Sequence, residues 1–182
     1  MKSHLGSPTW PLIAWIAGTL LSGPAAVGAV LLFASTGLVV PPEGAPRFSG
    51  PQGREADVTE LLVTRDQTNG SLGLLRQTIA PNSGPPAHVH RTEDEFFYVV
   101  SGEFKVKLGE HAVNVPARSV MFVPRGTVHA FLNIGTEPGV LLVGVTPGGF
   151  EKIFEERQGV NAETNRALMK AYKMEVVGPP LK

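Results

Sequence analysis

The chain contains no cysteine. Disulfides and thiolate nucleophiles are therefore excluded, and any metal site must be assembled from histidines and carboxylates. A charge surplus is missing too, because 16 Lys and Arg offset 16 Asp and Glu among 182 residues. Without a basic excess there is no electrostatic case for nucleic acid as a partner. One stretch lacks charge altogether, since no Asp, Glu, Lys or Arg occurs between Lys2 and Glu43. No internal repeat and no low-complexity tract is present.

Within the uncharged stretch, Leu12 to Ala34 is a mostly apolar run of 23 residues, long enough to cross a hydrocarbon core of about 30 Å as an apolar helix. Two readings of it compete, with a buried or mis-started segment as a third. As a membrane anchor it would continue through Val30-Leu31-Leu32-Phe33, and Lys2 ahead of it would hold the N-terminus in the cytoplasm with the rest of the chain outside. As a cleaved signal peptide it would have Leu12 to Leu21 as its apolar core and Pro24 to Ala29 as its small-residue exit. Either way the expected location is extracytoplasmic: anchored to the membrane, or secreted or periplasmic after cleavage. The chain is thus expected to divide into an anchor or signal segment (1–40), a linker rich in proline and glycine (41–56) and a compact domain (57–182).

The compact domain shows short apolar or alternating runs with turn residues between them. These are Val58 to Thr64, Leu72 to Ile79, Glu95 to Ser101, Glu103 to Leu108, Ala112 to Val115, Ser119 to Val123, Thr127 to Leu132 and Val140 to Thr146, punctuated by Asn69-Gly70, Gly102 and Gly109-Glu110. With no helical pattern between them, they predict an all-β sandwich or barrel. Beyond Pro147 the spacing becomes helical over Phe150 to Arg157 and Ala162 to Met174, with Asn161 as N-cap of the second helix. The Glu151 to Arg157 charges read as a solvated helix face, Phe122 reads as core, and the tail from Val176 reads as extended.

Histidine is where the chemistry concentrates. His88 and His90 are two residues apart, so on a strand they project to one face. Glu95 follows beyond a polar bend, on a strand that puts Glu95, Phe97 and Val99 on one face and Phe96, Tyr98 and Val100 on the other. His129 lies 34 residues after Glu95, with Phe131 at the same parity. A carboxylate turned alone into an apolar interior is costly, and a bound cation removes that cost. Three imidazoles and one carboxylate suit one divalent transition metal, Fe, Mn, Ni, Co, Cu or Zn, and are too rich in nitrogen for Mg or Ca. Four ligands leave coordination positions open for a small-molecule substrate. Phe97, Val99 and Phe131 are candidates to line the substrate pocket, although core packing explains them equally, and Gln77 is a candidate polar contact to the site. His4 and His111 stand apart from this set. Arg125 and Asn133 read as turn and strand-end residues.

The segment Gly84 to Gly102 resembles motif 1 of the cupin superfamily: the HxH pair, the glutamate five residues on and the closing glycine. Pro124 to Asn133 resembles motif 2, PxGxxHxxxN. Two positions depart from the pattern. Gly84 lies nearer the first histidine than the usual leading glycine, and Arg118 stands where motif 2 has glycine. The resemblance covers about Val58 to Leu181 and looks closest to single-domain, quercetin-dioxygenase-like cupins. It implies a double-stranded β-helix followed by short C-terminal helices, with a metal held inside by His88, His90, Glu95 and His129; the expected N-terminal apolar helix lies outside the resemblance. It further implies that Glu95 serves as base toward a substrate hydroxyl, and that the barrel pairs as a homodimer. The expected activity is that of a metal-dependent dioxygenase acting on a small phenolic or enolic molecule. Non-oxidative isomerases or lyases and non-catalytic small-molecule binders share the same ligand set, because fold and ligands do not fix the reaction.

Overall fold

The computed structural model describes residues 31–33, 37–51 and 54–182. In chain order the described elements are β1 (Leu31–Phe33), β2 (Gly37–Val39), β3 (Arg47–Ser49), β4 (Val58–Val63), β5 (Gly73–Ile79), β6 (Pro86–His90), β7 (Asp94–Ser101), β8 (Glu103–Leu108), β9 (His111–Pro116), β10 (Val120–Val123), β11 (His129–Asn133), β12 (Gly139–Thr146), α1 (Ile153–Glu156), α2 (Ala162–Ala171) and β13 (Met174–Pro180). Two antiparallel sheets face each other, one ordered β10-β7-β12-β5-β4-β3 and the other β13-β6-β11-β8-β9. This is the all-β double-layer barrel that the strand pattern and the resemblance imply.

The period-2 pattern decides which side chains fill it. On β7, Glu95, Phe97 and Val99 are buried while Tyr98 and Val100 are exposed. Phe104 and Val106 from β8, Leu75 and Ile79 from β5, and Leu141, Val143 and Val145 from β12 complete the interior. Phe131 sits edge-on to both Phe97 and Phe104, at 6.1 and 6.0 Å between ring centres, the arrangement that aromatic quadrupoles favour. The same parity corrects the reading of Phe122. Met121 and Val123 point inward, so Phe122 faces out.

Backbone demands explain both departures from the motif pattern. A Cβ on Gly84 would overlap the Phe131 carbonyl, so a glycine is required where this loop crosses β11. Arg118 adopts the left-handed conformation (φ +72°) that a glycine would take there without strain, at a cost of roughly 1 kcal/mol for a residue with a Cβ.

Three regions differ from the sequence reading. Arg47–Ser49, within the stretch read as linker, pairs with β4 as the edge strand. The second C-terminal helix starts where expected, with Asn161 Oδ1 accepting from the Thr164 backbone N–H at 2.9 Å. It stops at Ala171, because Lys173 turns left-handed (φ +52°) and Met174 begins a strand opposite His90. Leu31–Phe33, the last part of the apolar run, pairs with Gly37–Val39 as a strand and does not continue a helix. Residues 1–30 and 34–36 of the expected anchor or signal segment lie outside the described residues. Among the described residues no helix is long and apolar enough to cross a membrane.

Candidate metal centre

The local sequence brings the donors together in three steps. His88 and His90 alternate with Ala87 and Val89 on β6 and so share its inner face. β11 runs antiparallel beside β6 in a register that sets His129 opposite His88, with their rings 4.2 Å apart between centres. Glu95 comes from the facing sheet, near the start of β7, where it pairs with Val123 and Val145. One donor atom from each of the four residues falls within 4.8 Å of all the others, and all four are buried.

The hydrogen bonding around the rings prepares them as ligands. Nδ1 of His88 lies 2.8 Å from the Pro86 carbonyl and Nδ1 of His129 lies 3.0 Å from the Thr127 carbonyl. A carbonyl only accepts, so each Nδ1 donates a proton and each Nε2 keeps its lone pair for the centre. Nε2 of His129 lies 2.8 Å, and Nε2 of His90 3.5 Å, from Oε2 of Glu95. His90 completes the set differently, with its Nδ1 facing Oε2 of Glu93 at 3.7 Å. Glu93 is held in turn by the Thr92 hydroxyl at 2.7 Å.

The electrostatics match this picture. Burial, helped by the neighbouring His129, pushes the His88 imidazole down to about 3, so it is neutral at physiological pH. Burial alone would push the Glu95 carboxyl up, but the surrounding His90, His129 and His88 outweigh it and leave it below the usual carboxylate range. Burial likewise pulls the His129 imidazole down, and the Glu95 carboxylate more than reverses this. The site therefore presents an anionic oxygen beside a neutral His88 and a His129 whose basicity Glu95 raises. Oε2 of Glu95 and Nε2 of His129 are buried without a hydrogen-bond partner of good geometry. In a native interior such orphaned polar atoms call for an ion or a solvent partner. The residues fit a divalent transition metal.

A cavity of about 100 Å³ opens beside the cluster. His88, His90 and Glu95 line it, as do Phe97, Phe131 and Gln77. Val99 does not. It is fully buried in the core instead, one step further along β7 than the cavity reaches. Gln77 faces in and donates weakly to the Thr59 hydroxyl (3.4 Å), whereas Arg76 faces out and pairs with Glu60. Arg125 ties the loop before β11 to Asp94 at 2.8 Å. Asn133 is completely buried, and its side chain bonds the Ile79 and Glu137 carbonyls and the Gly135 N–H.

Several residues around the site gave no signal in the sequence. Phe150 packs edge-on against His90, 4.2 Å between ring centres, and with Phe154 closes that side of the cavity. Glu151, expected on a solvated helix face, is fully buried and accepts from the Arg65 and Gly149 backbone N–H groups, each at 2.6 Å. Arg157, expected on the same face, turns into the cavity wall. The helix signal was read correctly but its inward face was not, because α1 spans only Ile153–Glu156, a single turn that fixes no period.

Comparison with known proteins agrees with this architecture. The cupin domain family profile matches residues 75–145, the stretch that carries both histidine motifs. An uncharacterized protein of Streptomyces coelicolor is 31% identical over 94 residues, 52% of this chain and 87% of its own length. The chain belongs to the cupin superfamily. Another match is the tetracenomycin polyketide synthase protein TcmJ of Streptomyces glaucescens, 26% identical over 98 residues; the match spans 53% of this chain and 66% of that protein. Among solved structures, an RmlC-like cupin from Shewanella frigidimarina superposes with a TM-score of 0.50 at 21% identity, covering 59% of this chain and 87% of that one. The cupin domain of Schizosaccharomyces pombe Cnp3 gives 0.50 at 17% identity, covering 71% and 85%. These likenesses support the cupin fold.

Proposed function

We propose that this cupin is a metal-dependent dioxygenase acting on a small phenolic or enolic molecule. The observation that carries the reading is Glu95, a buried, anionic carboxylate that belongs to the donor set and also lines the cavity. His88, His90, Glu95 and His129 would hold the ion. When bound, a redox-active divalent metal supplies Lewis acidity toward a substrate oxygen and access to O₂ chemistry. The remaining work falls to the chain itself. The Glu95 carboxylate accepts the proton of the substrate hydroxyl and turns it into an electron-rich enolate or phenolate. Phe97, Phe131 and Phe150 exclude water and offer ring faces and edges to a flat substrate. The cavity is small beside the roughly 300–1,000 Å³ of drug-sized ligand sites, which favours a compact substrate. The Streptomyces glaucescens relative is named for polyketide synthesis, and enolisable carbonyls are the stock of polyketide chemistry.

Full-length protein loaded anaerobically with Fe(II), Mn(II), Co(II) or Ni(II) should consume O₂ in the presence of a small enolic substrate. Both atoms of labelled O₂ should enter the products. Turnover that persists without O₂ would move the protein to the non-oxidative isomerase or lyase class and sink the oxygenase reading.

The homodimer expectation draws support from an exposed apolar strip on β7 and β10, with Val120 at 70%, Phe122 at 59% and Val100 at 49% exposure. In light scattering the protein should run as a dimer, and Val120→Asp with Phe122→Asp should shift it to monomer. A wild-type monomer at the same concentration would remove this reading.

A further inference from the structure

Arg157, directly after α1, lines the same cavity as His88, His90 and Glu95. Its Nε is buried and, among the described residues, has no hydrogen-bond partner. Among the described residues, no carboxylate lies within 4.0 Å of it. The acid that acts on it electrostatically is Asp57, and that carboxylate is already committed. Oδ1 of Asp57 accepts from the Ala80 N–H at 2.9 Å. Oδ2 accepts from the Ser83 hydroxyl at 2.8 Å and from Arg54, whose guanidinium reaches it at 2.7 Å. Arg54 and Asp57 thus neutralise one another and leave Arg157 with a net positive charge. A second arginine nearby makes that charge more costly. Burial first, and then Arg54, lower the Arg157 guanidinium to about 10, still cationic at neutral pH.

A half-buried cation with no counter-ion costs stability unless something pairs with it. Phe154 holds the guanidinium from its face, at 4.3 Å from carbon to ring centre. That contact fixes the plane without using the N–H donors, which stay available for a planar anion with two oxygens. We propose that the substrate of this cupin carries a carboxylate that docks on Arg157 while its hydroxyl faces Glu95. The substrate class is then a small hydroxy or enolic acid. The charge that Arg157 lacks from the protein arrives with the ligand. The proposal rests on the metal-centre reading only for the hydroxyl end of the molecule.

Two matched probe pairs test it, salicylate with salicylamide and glycolate with glycolamide. Each pair keeps the hydroxyl and changes only the charge. Titration calorimetry on the full chain, metal-loaded and metal-free, should show the acid of at least one pair binding tenfold or more tighter than its amide. Arg157→Gln should abolish that preference and Arg157→Lys should keep part of it, with metal content unchanged in both. The melting temperature of Arg157→Gln without ligand should equal or exceed that of the wild type, because an unpaired cation is removed. Equal binding of acids and amides, no binding of either acid, a preference that survives Arg157→Gln, or a marked loss of thermal stability in both variants would each overturn the proposal. The two readings fail separately. Arg157-dependent acid binding without O₂ consumption leaves the anion site standing and removes the oxygenase, whereas O₂ consumption with acid and amide alike does the reverse.

Discussion

His90→Ala or His129→Ala leaves the protein unable to hold a stoichiometric metal ion. Each contributes a ring nitrogen to a buried group of donors lying within 4.8 Å of one another. Disturbing only the outer partners of such ligands typically costs about 10–100-fold in metal affinity. Deleting a ligand outright should cost at least 100-fold. The loss is reinforced at Glu95, whose carboxylate keeps its burial but loses an imidazole lying 3.5 Å away in one variant and 2.8 Å away in the other. Elemental analysis of protein dialysed against metal-free buffer reads this directly, with one ion per chain expected in the wild type and almost none in either variant. Glu93→Gln, which changes only the partner of His90 Nδ1, should give an intermediate affinity.

Asn133→Ala produces the largest loss of stability outside the metal ligands, about 2–4 kcal/mol. The Asn133 side chain has no exposure and makes three hydrogen bonds to backbone groups, two donated and one accepted. Alanine fills part of the volume but removes the side-chain partner of the Ile79 and Glu137 carbonyls and of the Gly135 N–H, and unsatisfied buried groups cost about 1–3 kcal/mol each. Because Asn133 touches none of the four donors, its metal stoichiometry should match that of the wild type wherever the variant is folded. Urea denaturation of the metal-free proteins gives the difference, and a change below about 0.5 kcal/mol, the size of an ordinary surface substitution, would show that the clamp is dispensable. The last residue of the second histidine motif is thereby a structural tie, in keeping with its reading as a strand-end residue.

What could be read from the residues was whatever strand parity controls. His88 and His90 on one face, and Glu95 with Phe97 against Phe96 with Tyr98, follow from a period of two, and the barrel respects it. The distant partner His129 was legible because its own motif marks it, and the pairing of β11 beside β6 brings it to His88. The reading went wrong where hydrophobicity was weighed without parity, or where parity alone was not enough. Phe122 is hydrophobic and looked like core, but Met121 and Val123 take the inner positions on β10. Val99 has the right parity yet lies too far along β7 to reach the cavity. Glu151 lies in the short 3-10 turn Phe150–Lys152 just before α1 and Arg157 just after α1, so no helical period assigns them a face, and their burial depends on contacts with Arg65, Gly149 and Phe154 that no local pattern encodes. The grouping of the four donor side chains was therefore accessible from sequence, whereas the cavity wall beside them required the fold.

The central claim is that His88, His90, Glu95 and His129 together hold one divalent transition metal inside the barrel. X-ray absorption at the edge of the bound metal, on protein loaded and then freed of excess ion, tests it most directly. The account predicts the multiple-scattering signature of three imidazoles with additional oxygen neighbours, reduced by one imidazole or lost with the metal in His129→Ala. A wild-type spectrum showing oxygen neighbours alone, or the same three-imidazole signature in His129→Ala, would contradict it.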